Sequence, residues 1–179
     1  MNSGNTDNSS EKKTTCDAGG FSLLWTAFTL VPDMLLDDEN VDLWLNFLRD
    51  RVPRDQHVAQ VEIPAQRCAC IYELSARSEA ELHVIPFLID RAEQLTAVSP
   101  TLLTAIRLQD KLAVACLQDG RLQLANIYDS STKEQTLYWI LSIYEQLHLD
   151  ASIPIYIRCG VSTRKLLFAH LETRELPCE

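Results

Sequence analysis

The chain has 179 residues, 46% of them hydrophobic and 23% charged, ordinary globular usage for one domain or two small subdomains. Its formal net charge of -9 repels phosphate backbones and anionic lipid, which excludes nucleic acid and membrane surfaces as first expectations. No apolar run approaches the ~20 residues that would span a bilayer, and the first twenty residues lack the apolar core of a signal peptide, so a cytoplasmic protein without direct membrane insertion is expected.

Residues 1–20 are rich in Ser, Asn, Thr and Lys, end in Gly19-Gly20, and are expected to be a disordered polar tail. From Phe21 to Val31 the chain is β-rich, bounded by Pro32. Acidic residues Asp37, Asp38 and Glu39 then precede a helix whose Val41, Trp44, Leu45 and Leu48 share one face. Two strands are expected next, Val58 to Ile63 and Cys68 to Leu74, separated by Pro64. Ser78 to Glu81 has capping-box spacing and predicts a helical turn, with Pro86 breaking that helix or opening another.

The second half predicts three strands, Leu102 to Leu108, Leu112 to Gln118 and Arg121 to Tyr128, the last two joined by an Asp119-Gly120 hairpin turn. Ser131 to Glu134 reads as a capping box before a helix carrying Leu137, Ile140, Leu141, Tyr144 and Leu147 on one face. Tyr138, Trp139 and Ile143 widen that face, so the helix is expected to be mostly buried, with His148 in its last turn. Ile153 to Ile157 is a short strand ending at Gly160, and Ser162 or Thr163 caps a last helix with Leu166, Leu167 and His170. Strands, helix, strand, helix in this order give a mixed α/β sheet with helices packed on it. Two subdomains are expected, 21–98 and 99–179.

Several segments together resemble an uncharacterised Bacteroidetes family. They are Thr29-Leu30-Val31-Pro32 with its acidic-then-helical sequel, Gly120 to Asn126, Leu137 to Leu141, and Glu145 to Asp150 with the strand up to Gly160. The resemblance implies an actin-like ATPase fold, ribonuclease H-like in its units and shared with actin, sugar kinases and pilus-assembly proteins of the PilM type. Against that pattern the polar tail stands where an additional strand-rich segment is expected. The first subdomain therefore reads as incomplete, a shortened member with sheet edges that invite self-association.

In that fold, strand–turn–strand hairpins hold phosphates through backbone N–H groups that glycine lets approach. The corresponding turn, Leu108 to Lys111, supplies Asp110 but no glycine. The strand-to-helix junction, Ile157 to Ser162, has Cys159 where a first glycine is wanted, leaving Gly160 alone. The expectation is a degenerate nucleotide site, no bound cofactor, and a non-catalytic module that works through a protein partner or a homodimer. The alternative is a nucleotide-binding protein or slow ATPase holding ATP and Mg near Asp110, Gly160 and Ser162. Cys68 and Cys70 share one strand face without a second ligand pair, and read as buried thiols rather than a zinc or redox pair. The four histidines, His57, His83, His148 and His170, show no metal-binding spacing, and no nucleophile elbow is present.

Overall fold

A computed structural model describes residues 22–36, 44, 57–74 and 81–177. The stretch expected to be one β-rich run is two strands, β1 (Ser22–Leu24) and β2 (Phe28–Pro32). They belong to different sheets. β1 pairs in parallel with the short β5 (Glu81–His83), whereas β2 pairs antiparallel with β4 (Cys68–Leu74), which also pairs with β3 (His57–Ile63). The polar tail lies outside the described residues, as does the helix over 41–48 except Trp44. Trp44 is helical, and its indole N–H donates to the Leu35 carbonyl at 3.2 Å.

The helical turn expected from Ser78 is corrected at Glu81, which lies in β5. The helix that follows is α1 (Val84–Leu95), and its N-cap is His83. Pro86 falls in its first turn, where backbone N–H groups have no partner within the helix, so proline is tolerated there and breaks nothing. Seven of its twelve residues are buried, among them Val84, Ile85, Leu88 and Ile89. Asp90 and Gln94 stay exposed, while the apolar face is wide and needs cover from more than one element. Cys68, Cys70 and Tyr72 of β4 and Leu102, Ile106, Ala113 and Ala115 of the next sheet provide it in one continuous cluster.

That next sheet has five strands in the order β10-β9-β6-β7-β8. Its antiparallel part is β6 (Leu102–Leu108), β7 (Lys111–Gln118) and β8 (Arg121–Asp129), as the sequence predicts. Asp119 and Gly120 both have positive φ, 51° and 73°, the tight turn that a two-residue hairpin requires. β9 (Ile155–Arg158) runs parallel to β6, and β10 (Thr173–Glu175), which periodicity did not disclose, runs parallel to β9. Both crossovers are helical: α2 (Lys133–Gln146) and α3 (Val161–Phe168). They cover the face opposite α1, packing Ile140, Ile143, Tyr144 and Leu167 on Leu103, Ala105, Val114, Ile155 and Ile157. β6 and β7 are thus buried on both faces, which is why they read as nearly unbroken apolar runs.

Three local expectations shift. The capping box of α2 is one residue later, Thr132 with Gln135, because the chain stays extended through Ser131 to let Gln135 accept from the Ser131 and Thr132 amides. The buried face of α2 is narrower than predicted: Tyr138 is 62% and Leu141 39% exposed, since only the sheet and α3 lie beneath it. α3 starts from Gly160 without a side-chain cap, so neither Ser162 nor Thr163 plays that part, and His170 lies beyond its end. His148 also lies past the end of α2, in the left-handed conformation at φ 52°.

Candidate functional site

β6 and β9 are parallel neighbours with Ile106 opposite Arg158, so the turns that follow them leave the same end of the sheet. Asp110 lies in the turn after β6; Gly160 follows β9 and starts α3; Ser162 is in the first turn of α3. All three are exposed. The topology therefore brings the three candidate residues to one end of one sheet, for a reason that sequence alone could not supply.

Gln109 carries its side chain into a turn position with φ 52°, and Asp110 adds a second β-carbon beside it. The Asp110 carbonyl is taken by the Ser130 N–H at 2.6 Å, which ties the turn to the start of α2. At Gly160 the space is open: a β-carbon there would meet nothing within 4 Å. Its glycine is not required by close approach of anything in the fold.

Sequence reasoning missed the basic character of this end. Arg107 continues the face of β6 that bears Ala105, and Cys159 the face of β9 that bears Ile157, so the two stand side by side. Arg107 donates to the Ser130 and Ser131 carbonyls at 3.3 and 3.1 Å. Arg164 donates to Glu175 at 3.0 Å and also hydrogen-bonds Cys159. Burial pushes the Cys159 thiol up, against the pull of Arg164 and Arg107. This is a half-buried thiol in a largely basic setting, held in its protonated form by burial.

The remaining candidates are structural. Cys68 and Cys70 both face α1 and are buried; burial raises both thiols, that of Cys70 to about 12. Among the described residues, no three His, Cys, Asp or Glu side chains are grouped to hold a metal ion. His83 carries more than its spacing suggested. It is fully buried, its Nδ1 accepts from the Ile85 N–H at 3.2 Å, and its Nε2 lies 3.1 Å from the Thr26 carbonyl. An acceptor at Nδ1 puts the single proton on Nε2, the neutral tautomer. The ring stacks on Tyr72 at 4.7 Å, and burial lowers its pKa to about 4. A polar residue directly before the run Val84 to Ile89 was the available signal.

A second overlooked residue joins the two sheets. Gln66, between β3 and β4, accepts from the Leu122 N–H at 2.7 Å through Oε1. Its Nε2 donates to the Gly120 carbonyl at 3.2 Å and to Glu93 of α1 at 2.9 Å.

Comparison with known proteins agrees with this architecture. A Bacteroides thetaiotaomicron protein with actin-like ATPase fold and unknown function superposes with a TM-score of 0.69 at 17% identity, over 84% of this chain. The match covers 65% of that protein's chain. At this identity the likeness establishes the fold, the actin-like ATPase fold, and leaves function open. No curated protein matches the sequence. Residues 24–173 match the model of a family described as protein of unknown function (DUF3822), and the chain belongs to that family.

Proposed function

We propose that this chain is a non-catalytic protein-interaction or assembly module that uses the actin-like scaffold with a degenerate nucleotide site. One observation carries the reading. The β6–β7 turn has side chains at both central positions, Gln109 and Asp110, where a phosphate cradle calls for glycine to let backbone N–H groups approach. Cytoplasmic residence, a division near residue 98, and action through a protein partner or a homodimer belong to the same proposal. Exposed Val161 and Phe168, 73% and 71% accessible on α3, are consistent with contacts of that kind.

A second reading, a nucleotide-binding protein or slow ATPase, is favoured by one feature only: Asp110 and Gly160 leave the same end of neighbouring parallel strands. Titration calorimetry with Mg-ATP separates the two, with Asp110→Ala as the control. The module reading expects no saturable heat and no thermal stabilisation. Saturable binding at one site, abolished by Asp110→Ala, would replace it with the nucleotide reading.

A further inference from the structure

We propose, building on the interaction-module reading, that the outward face of α2 and α3 binds the same face of a second copy of this chain, in a two-fold dimer with α2 of each copy lying on α3 of the other. The two helices lie side by side on one face of the five-stranded sheet. α2 buries Thr136, Ile140, Ile143 and Tyr144. At about 100° of rotation per residue, Glu134, Tyr138, Leu141 and Glu145 form a single stripe on its opposite side, and all four are exposed. α3 buries Thr163 and Leu167, and its opposite stripe is Val161, Lys165 and Phe168, again all exposed.

A helix packed on a sheet ordinarily turns a polar stripe to water. Of the eight large apolar side chains exposed among the described residues, four are Tyr138, Leu141, Val161 and Phe168 of these two stripes. Apolar surface gathered on one face of neighbouring helices marks an interface, where single scattered residues would not. Tyr138 is also braced, its ring edge-on to Trp139 at 5.2 Å, so it has less side-chain freedom to lose on association.

Charge selects the occupant. The α2 stripe carries an acid at each end, Glu134 and Glu145, whereas the α3 stripe carries a base, Lys165, between its apolar residues. Among the described residues Glu145 and Lys165 have no ion-pair partner, and Glu134 has only Lys133 beside it at 3.8 Å. A face that presents both an acidic and a basic apolar stripe is complementary to itself, as an isologous interface requires. Both helices start beyond the same end of the sheet, after strands β8 and β9 that run in the same direction. A two-fold axis in the plane of contact, along the helices and between them, exchanges α2 for α3 and preserves height. Phe168, seven residues after the start of α3, then meets Leu141, eight after the start of α2. Lys165 meets Tyr138, one turn from Glu134.

Sedimentation of the full chain from micromolar to near-millimolar concentration is the test. The wild type is expected to associate reversibly to a dimer. K165E sets like charge against Glu134 of the other copy and should raise the dissociation constant by about tenfold or more. F168S, at another exposed position, should weaken association by removing an apolar contact, and is read in place of K165E if that variant does not fold. Adding E134K to K165E restores an unlike pair and should return the dissociation constant close to the wild-type value. A wild type that stays monomeric throughout, which would leave the face to a partner of another sequence, overturns the proposal. So does a K165E variant that associates as tightly as the wild type, or a K165E/E134K variant as weak as K165E. Mg-ATP titration is a separate measurement, so failure of the dimer and failure of the module reading are told apart.

Discussion

Replacing Gln66 by methionine keeps the volume of the side chain and removes its three hydrogen bonds. Two of them, to the Leu122 N–H and the Gly120 carbonyl, are neutral and each contributes about 1 kcal/mol net. The third, to the Glu93 carboxylate, is charge-assisted and worth about 1.5 kcal/mol or more when dry. Gln66 and Glu93 are half-buried, so water re-forms part of what is lost. The expected destabilisation is therefore about 2 kcal/mol, below the simple sum. Urea unfolding measures it as a fall in midpoint with unchanged slope. Gln66→Glu sharpens the test: a carboxylate keeps the acceptor for Leu122 but faces Glu93 and the Gly120 carbonyl with like charge. Its stability deficit should shrink on acidification, as the new carboxyl protonates and regains a donor. A methionine variant that loses less than about 0.5 kcal/mol would refute the reasoning, because a loss that small is ordinary for surface substitutions. The two sheets would then be held by the α1 core alone.

Other perturbations follow from the same geometry. His83 has a folded pKa of about 4 against a reference of 6.5, so the neutral form is the one the fold holds. Its contribution is complete above pH 6.5 and is lost as pH falls from there towards 4, about 3 kcal/mol in all. His83→Asn, which retains an acceptor for the Ile85 N–H, should flatten that part of the stability–pH profile measured by chemical unfolding. Thr132→Ala removes the capping-box acceptor of Gln135 and should lower stability by about 1 kcal/mol, read as a shifted urea midpoint. Gly120→Ala meets no steric contact but must hold φ 73°, and a loss of about 1 kcal/mol is expected from backbone strain alone. Thiol labelling followed by peptide mapping should modify Cys159 before Cys70 and Cys116, which react only on unfolding.

The parts of the fold legible in the sequence are those set by neighbours along the chain. Strands β6, β7 and β8 announced themselves by apolar runs cut at Asp119-Gly120, a dipeptide that accepts two positive φ angles where most residues resist them. α2 was visible from its apolar spacing, although its capping pair fell one residue late, since Ser131 and Thr132 are both competent caps and local chemistry cannot choose between them. α1 was obscured because Pro86 reads as a breaker, although in the first turn it is permitted, and because His83 rather than a Ser or Thr caps it. β1, β5 and β10 are three residues each, too short for alternation to register.

At the candidate site, the resemblance to the actin-like fold pointed to Asp110, Gly160 and Ser162, and the turn from Leu108 to Lys111 lacks the glycine that the resemblance calls for. Their common location at the carboxyl ends of β6 and β9 was decided by a parallel pairing between strands about fifty residues apart, which is a tertiary event. The same holds for Arg107 beside Cys159 and for Gln66 bridging to Leu122. A side chain's own covalent surroundings set its turn and helix preferences, so these are written into the chain. Its burial, its hydrogen-bond partners and the proton it keeps depend on groups that only the folded core brings within reach. His83 is the plainest case: an ordinary histidine in the sequence, and a neutral, buried helix cap once Thr26, Tyr72 and Ile85 have closed around it.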